Sequence, residues 1–124
     1  PLGCAKAILT ALSTPDPSSP ALRMRLAEAQ MRYEAMRAYL LETADGFHAS
    51  AGPAYAARVL RTKTFVTQEA TKLCAELFAL SGGRHYTRSS AIARAFADSF
   101  AGTALRPPLA LGLDTLVEQF RAPI

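Results

Sequence analysis

The chain has 124 residues, half of them hydrophobic and 19% charged, which is enough to bury one core and excludes a disordered tail. The formal net charge is +4, but the basic residues Arg23, Arg25, Arg32, Arg37, Arg58, Arg61 and Lys63 are interspersed with acids. With no block of like charge, no basic–aromatic motif and no run of about 20 apolar residues, neither a nucleic-acid surface nor a membrane partner is expected.

The first predicted element is a short Ala-rich helix over Gly3–Leu12. "STPDPSSP" (13–20) then breaks it, because three prolines and three serines cannot continue a helix. Ser19 is placed to cap a second helix with Pro20 at its first position. In that helix Leu22, Leu26, Ala29, Tyr33, Met36, Leu40 and Phe47 recur at helical steps and predict a buried seam. "ADGF" weakens its end and "SAGP" stops it.

Pro53 opens a third helix, with Val59, Thr62, Val66, Glu69/Ala70, Leu73 and Leu77 in period and Phe65, Cys74 and Phe78 alongside. Gly82 and Gly83 end it, since glycine alone takes positive φ without steric cost. Ser89 or Ser90 caps a fourth helix carrying Ile92, Phe96 and Phe100 on one stripe. "GTALRPP" breaks it, and "LALGLDTLVEQF" predicts a last short helix with Leu109, Leu113, Leu116, Val117 and Phe120 inward. No stretch alternates with period two. The expected fold is therefore all-α: an antiparallel four-helix bundle with a short extra C-terminal helix, filling 1–124 as one domain. There is no internal repeat.

Cys4 and Cys74 lie far apart among apolar neighbours, and no Cys/His spacing fits a metal. Free thiols, no metal and a reducing, cytoplasmic setting are expected. No Ser-His-Asp set or P-loop is visible. His48 follows a helix end and reads as a surface histidine. The chemically informative stretch is "SGGRHYTRSS" (81–90). Two residues without Cβ let backbone N–H groups approach an anion closely. Arg84, Arg88 and Arg94 are available as phosphate partners, and Ser89 and Ser90 add hydroxyls at a helix start. A plain glycine helix stop is the alternative.

From about Leu26 to Phe100 the sequence resembles the C-terminal helical domain of acyl-CoA dehydrogenases. The likeness is carried by "RLAEAQMRYEAMR" (25–37), by "RTKTFVTQEATKLCAELFALSGG" (61–83), and by Thr87, Arg88, Arg94 and Asp98 in "YTRSSAIARAFAD" (86–98). The resemblance implies a C-terminal piece of a larger flavoprotein, with an N-terminal helical domain and a middle β domain outside this sequence. The missing starting Met gives the same expectation of a fragment. It further implies FAD as cofactor, an acyl-CoA-type substrate, a dimer or tetramer, and Gly82 and Gly83 against the FAD diphosphate and adenosine of a neighbouring subunit. Arg84 joins them as a cofactor-binding candidate; it and His85 stand where the family varies.

Two departures accompany the likeness. The family often carries an Arg-x-x-Phe-Gly segment and a Gln between its first two bundle helices to hold FAD; here "STPDPSSP" is shorter and has neither. The family base, a glutamate in a Tyr-Glu-Gly-Thr segment, falls on "LRPP" (105–108), so Arg106 occupies its position. An arginine cannot abstract a proton near neutral pH. The catalytic base is thus unassigned; the nearest later carboxylates are Asp114 and Glu118, and Arg106 also fits a helix-end cation. Two alternatives stay open: a divergent flavin-dependent monooxygenase-like or non-catalytic subunit, and a stand-alone helical interaction module.

Overall fold

The computed structural model describes residues 1–48, 52–105 and 107–121. Local chemistry sets the helix limits. α1 runs Leu2–Ser13 and yields to the Pro/Ser segment. α2, Pro20–Asp45, starts where Ser19 Oγ accepts the Leu22 N–H at 3.4 Å, with Pro20 in the first turn. α3, Pro53–Ser81, also opens on proline. At 1.5 Å per residue it is roughly 43 Å long. It stops at Gly82, whose φ of 84° is positive and therefore needs glycine. A single 3-10 turn, Gly83–His85, follows. Ser90 Oγ then accepts the Ala93 N–H at 3.3 Å and opens α4, Ala91–Ser99.

The helix after Ser90 breaks earlier than the sequence predicts. It ends at Ser99 with Phe100 as its cap, and a one-turn α5, Ala101–Ala104, takes part of the "GTAL" stretch expected to be irregular. α6, Leu109–Arg121, is the extra C-terminal helix. Among the described residues there is no strand. No helix is long and apolar enough to cross a membrane among them.

The four main helices alternate in direction. From Thr43 back to Arg32 on α2, partners on α3 advance from Thr62 to Glu76. On α4, Phe96 stacks on Phe78 and the Ser99 carbonyl accepts from Thr71. α1 and α3 form the central diagonal. Ala5 and Ile8 of α1, with Ala70, Leu73, Cys74 and Leu77 of α3, are wholly buried. Leu26, Ala29 and Met36 of α2 and Ile92 of α4 close this core.

Several residues expected inward are not. Leu40 is part-exposed, and Phe47 lies beyond the end of α2, 71% exposed, against Tyr55. The inward position at that level belongs to Thr43. Its hydroxyl donates to the Tyr39 carbonyl, so the 2.6 Å contact with Thr62 has Thr62 as donor. The hydroxyl pair is buried but satisfied, which removes the usual penalty. Val59 and Phe65 also face outward, because that end of α3 is packed mainly on α2 and α6. Phe100 is half-exposed, edge-on to Phe96.

On α6, Leu113, Val117 and Phe120 are exposed, whereas Gly112 and Leu116 are buried. The helix lies mainly on α3, which covers only one narrow stripe. A Cβ on Gly112 would stand 2.8 Å from Thr64 Oγ1, so the glycine is what permits this close approach. Lys63 anchors the chain entering α6: its ammonium donates to the carbonyl of Leu105 at 2.8 Å and to that of Pro107.

Both cysteines are free; Cys4 is half-buried and Cys74 fully buried. Loss of hydration pushes the Cys74 thiol up to about 11. The folded chain thus keeps this proton when the unfolded chain, with an ordinary thiol, has released it. The coupling opposes folding only as pH rises above about 9. At pH 8 a thiol reagent is expected to leave Cys74 unmodified until denaturant is added. Mass spectrometry of the labelled peptides checks this, and rapid native labelling of Cys74 would contradict its burial.

Candidate functional site

The end of α3 and the start of α4 meet the α1–α2 connection at one end of the bundle. Between them is an open groove of about 660 Å³. Leu12, Thr14, Asp16 and Ser19 line one wall; Ser81, Arg84, His85, Ser90 and Ile92 line the other. Ser81 and Arg84 flank the glycine pair in sequence, so the corner made by Gly82 and Gly83 is at the groove's edge. The two glycines have different reasons for being there. Gly82 holds a backbone conformation that a side chain would strain. Gly83 has no positive φ, and a Cβ built on it meets nothing within 4 Å. The fold itself does not require glycine at 83. Bare backbone there faces open space, which is what a closely approaching ligand needs.

Arg84 is exposed, and its Nε–H donates to His85 Nε2 at 3.2 Å. His85 Nδ1 lies 3.2 Å from Ser90 Oγ. The carboxylate in the groove, Asp16, is paired with Arg23 of α2 at 2.5 Å. Arg84 therefore contributes cationic charge opposite an acid already held by another arginine. The lining is mixed: Leu12, Leu22, Leu80 and Ile92 are apolar, while Arg84 and the hydroxyls of Thr14, Ser18, Ser19 and Ser90 are polar groups that an anionic ligand can use.

The three arginines considered from sequence do not converge. Arg84 faces this groove, whereas Arg88 and Arg94 line a second, shallower one with Phe78, Tyr86 and Ala97. Arg94 Nη1 donates to the Ser89 carbonyl at 3.3 Å. Ser89 Oγ is within 3.2 Å of Thr87 Oγ1, so of the two serines only Ser90 lines the groove. Arg106 lies outside the described residues. Asp114 and Glu118 are exposed on α6. His48 is exposed after α2, as expected of a surface histidine.

The α1–α2 connection is tied to cofactor holding by the resemblance, although it lacks the Arg-x-x-Phe-Gly segment and the Gln that the resemblance implies there. It reads in sequence as a helix break, yet the reversal of α2 against α1 brings Ser18 and Ser19 beside Arg84 and His85. The available signal was topological. In an up-down bundle the α1–α2 and α3–α4 connections share one end.

A family model described as acyl-CoA dehydrogenase, C-terminal domain, matches residues 2–105. The chain belongs to this family. No curated protein and no solved structure matches it. The family segment takes in α1 to α5 and the whole glycine corner, while α6 lies beyond it. The all-helical bundle is the fold expected of this acyl-CoA dehydrogenase domain.

Proposed function

We propose that this acyl-CoA dehydrogenase C-terminal domain is part of an FAD-dependent oxidoreductase acting on the CH–CH bond of acyl thioesters. Within it, the chain supplies a corner of the FAD site and surfaces for self-association. The observation that carries the reading is the open backbone at Gly83, beside Arg84 and the edge of the groove, in a chain of this family. Gly82, Gly83 and Arg84 would hold the FAD diphosphate region. FAD, when bound, supplies hydride acceptance. This chain's own part is to bind and orient the anionic segment and to keep that end of the cofactor fixed.

Self-association is supported by apolar side chains that the bundle leaves uncovered. Met24 and Met31 on α2 are 66% and 63% exposed, and Phe120 on α6 is 75% exposed. Such surfaces mark contact regions when they cluster. A dimer or tetramer accommodates them.

The full protein carrying this chain is expected to purify yellow, with flavin absorbance, and to be bleached anaerobically by an acyl-CoA. Colourless protein without affinity for FAD would contradict the reading. A second reading is favoured by the arginine at position 106: a divergent flavoprotein, monooxygenase-like or non-catalytic, of the same fold. Bound flavin that no acyl-CoA bleaches would select it.

A further inference from the structure

Ser90 is more than a helix cap by its hydrogen-bond inventory. The Arg84 guanidinium can only donate, so His85 Nε2 is the acceptor of their 3.2 Å contact. A neutral imidazole with Nε2 unprotonated carries its proton on Nδ1. Nδ1–H therefore donates to Ser90 Oγ at 3.2 Å. The Ala93 N–H donates to the same oxygen at 3.3 Å. Both lone pairs of Ser90 Oγ are thus occupied, and its own O–H has no acceptor among the described residues. Ser90, His85 and Arg84 all line the 660 Å³ groove.

We propose that Ser90 is a ligand-binding hydroxyl committed as a donor to a phosphate oxygen in this groove, and that His85 is the positioning residue that commits it. The assignment rests on the functional reading above, in that it names the group that meets the diphosphate. Arg84 serves twice: its Nε–H fixes the imidazole tautomer, and its remaining N–H groups are left to pair with the same anion.

The test separates this role from capping. Asn and Asp cap helices about as well as Ser, but only Asn retains a donor. In the full protein, Ser90→Asn is expected to bind FAD nearly as the wild type does. Ser90→Asp, with a comparable Tm, is expected to bind at least about tenfold more weakly, the loss typical of a hydrogen bond to a charged group. His85→Ala weakens binding in the wild type but adds nothing in a Ser90→Ala background, because it acts through that hydroxyl. Undiminished affinity in Ser90→Asp would overturn the proposal, and additive effects of the two alanine variants would remove His85 from it. Inorganic diphosphate is titrated in parallel. Wild-type protein that takes diphosphate in a Ser90-dependent way but not FAD contradicts the flavin reading and leaves the phosphate site standing; protein that takes neither overturns both.

Discussion

Gly83→Arg is expected to abolish FAD binding by the full protein while leaving the bundle folded. The fold has room for it: a Cβ at this position meets no atom within 4 Å, and the backbone holds no conformation reserved for glycine. Stability should change by less than about 1 kcal/mol, as at an ordinary surface site. The ligand has no such room. A long guanidinium side chain would occupy the space in which the diphosphate is proposed to approach the Gly83 amide. Circular dichroism should stay helical and the flavin absorbance should disappear. A purified variant that retains flavin at wild-type affinity would show that this glycine does not face the cofactor. Gly82 behaves differently, because any side chain there strains the backbone at φ 84°. That variant is expected to lose about 1–3 kcal/mol of stability as well.

Leu73→Ala is expected to cost about 3–5 kcal/mol, the largest stability loss among single truncations in the chain. Leu73 is fully buried on the central diagonal, where α3 meets α1, with Ala70, Cys74 and Leu77 equally enclosed beside it. Its neighbours lie on rigid helices and can refill little of the cavity. A drop in melting temperature of roughly 10 °C or more should follow. The salt bridge of Arg32 with Glu76 offers the contrast. It is two-pronged, at 2.5 and 3.3 Å, and its hydrogen bond raises the Arg32 pKa. Both partners are substantially exposed, so removing it should cost under about 1 kcal/mol. A loss at Arg32→Met as large as at Leu73→Ala would contradict this account of the core.

Helix identities and starts were legible because single residues decide them. Ser19 and Ser90 cap, Pro20 and Pro53 open, and Gly82 stops. Which faces are buried was legible only where several helices surround an element. Along the middle of α3 the period from Thr62 to Leu77 is buried throughout. On α6, periodicity marks Leu113, Val117 and Phe120 as inward, yet one neighbouring helix cannot cover so wide an apolar arc. Sequence cannot count neighbours, so an apolar stripe and a covered stripe look alike.

The candidate site was partly legible for a related reason. Gly82, Gly83 and Arg84 are contiguous, and their proximity needs no tertiary knowledge. Asp16 and Ser19 join them only because α2 returns against α1. Arg88 and Arg94, although near in sequence, are turned onto the other groove by the 3-10 turn and the start of α4. The His85–Ser90 contact spans five residues and depends on that same turn. The resemblance to the acyl-CoA dehydrogenase domain supplies the reading that local chemistry leaves undecided, and the proposal that the glycine corner is a cofactor surface as well as a helix stop rests on it.

The most direct test of that surface is a crystal structure of the full protein grown with FAD. The account predicts diphosphate density within hydrogen-bond distance of the Gly82–Gly83 backbone amides, with Arg84 turned toward it. FAD bound elsewhere, with the glycine corner facing solvent, would contradict it.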